Sequence, residues 1–138
     1  MRFCPDANVL ISYLLTDQRT PLVEQFWTEL AEGDELVCAQ VFLPECTSTV
    51  REKVSLGQLT RSEGMTLVDQ MLRLPLRLSE SPRQFRRAME LAHQRRMLKS
   101  YDMQYVAVAE IEKCTMVTLD GGVYQAAIEI GVSATLLR

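Results

Sequence analysis

YDMQYVAVAEIEKCTMVTLD, residues 101–120, decides the class of fold. Its first half has helical period, with Met103, Val106, Ala107 and Ile111 on one face. Its second half carries a short apolar run, Thr115 to Thr118, that reads as a strand and is followed two residues later by Asp120. The same alternation extends outward in both directions. Further short strands are expected at Arg2 to Pro5, Leu36 to Cys38, Leu76 to Leu78 and Ala134 to Leu137. Longer segments of helical period separate them, which predicts an α/β protein: a three-layer α/β/α sandwich around a central, mostly parallel sheet.

Helix starts are the better marked ends. Thr20 followed by Pro21 reads as an N-cap with proline at the first helical position, opening a helix to about Ala31. Thr60 with Glu63, and Ser81 with Gln84, both have capping-box spacing. A helix starting near Val41 would hold Pro44 in its first turn, and Gly131 marks the end of a last helix from about Gly122. No internal repeat, low-complexity tract or linker divides the 138 residues, so one domain over 1–138 is expected.

With 47% hydrophobic and 24% charged residues, the composition is that of a soluble globular chain. The longest apolar runs, such as VLISYLL from Val9, fall far short of the ~20 residues that span a bilayer. No membrane association and a cytoplasmic location are expected. Cys4, Cys38, Cys46 and Cys114 lack the spacing of a zinc site and read as free, buried thiols. A net charge of −3 speaks against a polyanionic partner, unless divalent cations offset a cluster of carboxylates.

Such a cluster is suggested by four acids. Asp6 and Asp120 each follow a strand, and in an open parallel sheet the C-terminal strand ends face the crevice where ligands bind. Glu45 and Asp102 lie in the first turn or so of helices expected to start beside that edge. Taken singly, each acid is more ordinarily a helix cap. Taken together, four carboxylates repel one another, by several kcal/mol per pair at about 4 Å and an intermediate dielectric. Oxygen-only donors of this kind suit Mg²⁺ or Mn²⁺, ions that hold phosphodiesters and acidify water.

Read together, DANVLISYLL (Asp6, Asn8), the Glu45 of FLPECTSTV, SYDMQYVAVAE (Tyr101, Asp102, Ala107, Ala109) and MVTLDGGVYQAA (Thr118, Asp120) resemble the PIN domain, and especially the ribonuclease toxins of the VapC type. The resemblance implies metal-dependent endonucleolytic cleavage of RNA. It implies Asp6, Glu45, Asp102 and Asp120 as catalytic metal ligands, with Asn8 and Thr118 as supporting hydrogen bonders. It also implies an antitoxin partner and a homodimer. Two departures from the family pattern stand out: Pro5 precedes the first aspartate, and Gly121 and Gly122 follow the last, where they would loosen the loop and leave a second metal without a late acidic ligand.

The most basic stretch holds Arg83, Arg86, Arg87, Arg95, Arg96 and Lys99. It is either a solvated helix face or a phosphate-tracking rim leading to Asp102, and these six are the candidate RNA contacts. Met65, Leu67, Val68, Met71 and Leu72 form an apolar stripe that is either core or a contact surface. His93 stands alone and enters no mechanism. The main rival is a non-catalytic PIN-like module that binds RNA or a protein. Glycine-rich nucleotide loops are absent from the sequence, and an aspartyl-phosphate phosphatase would want a second aspartate where Asn8 stands.

Overall fold

Each strand is three or four residues long, and the alternation within it sends successive side chains to opposite faces of the sheet. The computed structural model describes residues 1–97 and 99–138. Along the described chain run β1 (Arg2–Pro5), α1 (Ala7–Leu14), α2 (Thr20–Glu29), β2 (Glu35–Cys38), α3 (Phe42–Ser55), α4 (Arg61–Arg73), β3 (Leu76–Leu78), α5 (Arg83–Gln94), α6 (Tyr101–Glu112), β4 (Thr115–Thr118), α7 (Gly121–Ile130) and β5 (Ala134–Leu136). The strands form one sheet in the order β3-β2-β1-β4-β5. Every pairing is parallel, where a mostly parallel sheet was expected.

Phe3 pairs with Leu36, Cys4 with Met116 and Pro5 with Val117. On one face Cys4, Val37 and Met116 pack under α6, whose residues from Met103 to Ala109 are all buried. A helix apolar on every side belongs inside the molecule, and α6 lies across β1, β2 and β4 with α5 and α7 beside it. On the other face Phe3, Leu36 and Val117 meet Val9 of α1 and Val23 and Phe26 of α2. These are the three layers. Pro5 is tolerated in the central strand because it is the last residue; the ladder resumes at Asp6, whose N–H donates to the Val117 carbonyl at 3.1 Å.

The Thr60 capping box forms: its hydroxyl accepts from the Glu63 N–H at 3.1 Å while the Glu63 carboxylate accepts from the Thr60 N–H at 3.0 Å. The one expected at Ser81 does not. Pro82 caps α5 instead, and Gln84 is fully buried, accepting from the Gln40 N–H and donating to the Ser79 and Ser81 carbonyls. A buried amide goes where several backbone partners meet, and these three outweigh a single cap bond. Thr20 is the first residue of α2 rather than its cap, because its hydroxyl donates to the Ser12 carbonyl at 2.7 Å; α2 ends at Glu29, short of Ala31. Gly121 and Gly122 do not loosen a loop but open α7.

All four cysteines are buried, unpaired thiols. Of the apolar stripe on α4, Met71 is core, Leu67 and Val68 are half-buried, and Met65 and Leu72 are exposed. Among the described residues no helix is long and apolar enough to cross a membrane.

Candidate metal centre

The strand order places a switch point at β1, whose chain neighbour β2 lies to one side and β4 to the other. Crevices open at the C-terminal ends of strands at such points. Asp6 leaves β1 and Asp120 follows β4 there. α6 runs back to the start of β4, so its N-terminus, with Asp102, lies at this same edge; α3, with Glu45, starts there after β2. All four acids therefore sit at helix N-termini, whose partial positive charge favours carboxylates and other anions.

Asp6 is 5% exposed and has both carboxylate oxygens engaged. Oδ1 accepts from the Val9 N–H at 3.2 Å as the cap of α1, and Oδ2 accepts a short hydrogen bond from the Thr118 hydroxyl. The same hydroxyl accepts from the Asp120 N–H at 3.0 Å, so fully buried Thr118 ties the two strand-end aspartates together. Asp120 caps α7, its Oδ1 accepting from Gly122 N–H at 2.7 Å and Val123 N–H at 3.1 Å. A Cβ at position 122 would lie 3.1 Å from that oxygen, so glycine permits the close cap. Cap and ligand are thus not exclusive readings of Asp6 and Asp120, since each Asp6 oxygen keeps a further lone pair and Asp120 Oδ2 accepts no hydrogen bond among the described residues.

Glu45 is positioned by a residue that sequence reading passes over. The Tyr105 hydroxyl donates to Glu45 Oε2 at 2.6 Å. Tyr105 is given no role by the sequence, yet its spacing of three from Asp102 puts both on one helix face. Asp102 itself accepts no hydrogen bond among the described residues, and Asn8, exposed in the first turn of α1, makes none through its side chain.

The acids feel one another. Burial pushes the Asp6 carboxyl up to about 6, against the Thr118 and Val9 bonds that lower it, with Asp120 and Asp102 adding repulsion. Glu45 is raised by burial, against its Tyr105 bond, and by Asp102. Asp102 is raised by burial and by Asp120. Among the described residues no three His, Cys, Asp or Glu side chains converge closely enough to ligate one ion at once. Three of the four acids are instead held by separate protein donors. The donor set nevertheless fits a hard divalent cation: it is all carboxylate, and in Asp6, Glu45 and Asp102 burial and neighbouring negative charge penalise ionisation, which a cation would relieve.

A hollow of about 270 Å³ is lined by Asp102, Asp120, Gly122 and Arg95, among others. Of the other basic candidates, Arg87 pairs with Glu110 and Glu90, and Arg86 with Glu90. Arg83, Arg96 and Lys99 are exposed and form no ion pair among the described residues.

The chain belongs to the PIN domain family, which it matches over residues 3–129, and whose members are generally nucleases. Its fold is similar to that of three solved structures. A chain in the VapBC2 structure from Rickettsia felis, bound to a promoter DNA fragment, aligns over 100% of both chains at a TM-score of 0.75 and 14% identity. VapC20 from Mycobacterium tuberculosis, described as a sarcin-ricin loop cleaving toxin, aligns over 90% of this chain and 94% of its own at 0.68 and 14%. A toxin-antitoxin complex from Klebsiella pneumoniae aligns over 88% of each chain at 0.62 and 15%. At these identities the likeness is one of fold. No curated protein matches the chain by sequence.

Proposed function

We propose that this chain is a metal-dependent endoribonuclease and the toxin of a toxin–antitoxin pair. One observation carries the reading: Asp6, Glu45, Asp102 and Asp120 stand at one sheet edge, where burial first and neighbouring carboxylates second raise three of them. These four would hold Mg²⁺ or Mn²⁺. Such an ion, when bound, acidifies water and offsets charge on a phosphodiester. Thr118 orients Asp6, Tyr105 orients Glu45, and the N-termini of α1, α3, α6 and α7 favour the anionic substrate. Asn8, exposed in the first turn of α1 two residues after Asp6, would meet the substrate rather than a protein group.

RNA as substrate draws support from membership of the PIN family and from the cleavage described for VapC20. An antitoxin partner draws support from the Klebsiella pneumoniae complex, and exposed Met65 and Leu72 on α4 are apolar surface that a partner or a second copy would cover. A single domain over residues 1–138, homodimeric and cytoplasmic, belongs to the same reading.

The test is cleavage of a panel of single-stranded and structured RNAs with Mg²⁺ or Mn²⁺, beside EDTA and the Asp102→Asn protein. Metal-dependent cutting that the substitution removes establishes enzyme and centre together. That no three of the acids converge on one ion among the described residues favours one rival, a non-catalytic module. Silence of the wild type together with undetectable Mn²⁺ binding would leave that rival in its place.

A further inference from the structure

A centre built of carboxylates needs a cation of its own if a polyanion is to approach it. Of the basic residues from Arg83 to Lys99 that the structure describes, Arg95 alone lines the hollow shared by Asp102 and Asp120. It is the C-cap of α5, and Arg96, with φ of 55°, turns the chain so that Arg95 and Met97 both form the wall. The guanidinium is nevertheless turned to α7, where Nη1 donates to Glu129 Oε2 at 2.5 Å. The other oxygen of Glu129 accepts from Gln125 Nε2 at 3.2 Å.

We propose that Arg95 is the phosphate-binding cation of this centre, and that Glu129 holds it at the rim until an RNA phosphate takes the carboxylate's place. The ligand rests on the nuclease reading above. Arginine's planar fork matches two phosphate oxygens as well as it matches a carboxylate. A part-exposed Arg–Glu pair is a weak tie, so the exchange of one oxyanion for another meets little resistance. With Glu129 fixed by Gln125, the arginine leaves and the carboxylate stays on α7.

The experiment breaks the same bridge from its two sides. Binding of a fluorescein-labelled single-stranded oligouridylate is followed by anisotropy over a range of salt, in Ca²⁺ and in EDTA, for wild type, Arg95→Gln, Glu129→Gln and the double variant. Arg95→Gln is expected to weaken binding about tenfold and to lower the slope of log K against log salt by roughly 0.7, the value of one single-strand phosphate contact. Glu129→Gln is expected to tighten binding about threefold, and that gain must vanish in the double variant. If Arg95→Gln does not fold, Arg95→Lys replaces it and must show a partial loss.

Equal losses from both single variants, the mark of a merely structural bridge, overturn the proposal. So does an Arg95→Gln protein that binds as wild type, a gain that survives in the double variant, or a wild type that binds no RNA in either buffer. Cleavage with Mn²⁺ is read separately. A wild type that cuts while Arg95→Gln binds normally keeps the nuclease and removes Arg95; opposite binding shifts in a protein that never cuts keep Arg95 and remove the nuclease.

Discussion

The Tyr105 hydroxyl, carried on the most deeply buried helix, donates at 2.6 Å to Glu45 Oε2 and so fixes a carboxylate of α3 from α6. Tyr105→Phe removes this bond without changing the ring. Hydrogen bonds to charged groups are worth about 1.5–3 kcal/mol, and because Glu45 is only half-buried, water replaces part of that, leaving an expected loss near the lower end. The bond lowers the Glu45 pKa, so its loss raises it further and moves the acid limb of the pH–activity profile to higher pH. Urea melts and the pH profile check both; an unmoved profile would remove Tyr105 from the centre.

Asp6 makes metal-free stability pH-dependent. Its folded pKa of about 6 lies above its ordinary 3.8. Between those values the folded chain keeps a proton that the unfolded chain releases, so stability falls as pH rises through that window. The full deficit, on the order of 3 kcal/mol for a shift of this size, is present above it. Glu45 and Asp102 act in the same direction. Melts in EDTA from acid to neutral pH should show the fall, and Asp6→Asn should flatten it.

Mn²⁺ should reverse that deficit. Binding only the ionised centre, it is expected to raise Tm at neutral pH, by an amount that grows with concentration above Kd, and to do little once protons compete below about pH 6. Calorimetric scans with and without Mn²⁺ at the two pH values measure this. A shift of equal size at both would place the ion elsewhere.

Asp102→Asn should separate stability from activity. Asp102 is raised by burial and by Asp120 and accepts no hydrogen bond among the described residues. It is part-exposed, however, and water screens most of the penalty, so the neutral amide should leave the metal-free protein as stable or slightly more stable while abolishing cleavage. Loss of both fold and activity would show that the carboxylate is structural.

Thr118→Val removes the hydroxyl that links Asp6 to the Asp120 N–H, leaving a buried carboxylate oxygen and a part-buried N–H short of a partner. About 2–3 kcal/mol of stability should go with it, and Thr118→Ser should restore most. Equal losses in the two variants would assign the effect to packing of the Thr118 methyl.

The strands were legible because short apolar runs ending in aspartate or followed by helical period have few other readings, and α6 because its run of apolar residues could only be interior. Asp6 and Asp120 were legible as strand-end acids. What sequence could not display is how one side chain serves two structures. Asp6 is both the cap of α1 and a member of the acidic edge, and α1 has no other start signal than the residue already read as a ligand. Gln84 has the spacing of a capping box, but only the fold brings Gln40, 44 residues away, to compete for it. Tyr105 and the Arg95–Glu129 pair likewise depend on contacts between helices far apart in the chain.

Asp6 meets Thr118 across 112 residues of sequence. During synthesis the first acid leaves the ribosome early, while Asp102, Thr118 and Asp120 follow only after most of the chain has been made. A truncated translation product ending before β4 would lack half of the central strand's pairing, the Thr118 hydroxyl that holds Asp6, and Asp120, one of the four acids. The destructive chemistry proposed for this edge is therefore withheld from every copy that stops before β4, a safeguard written into the order of the strands.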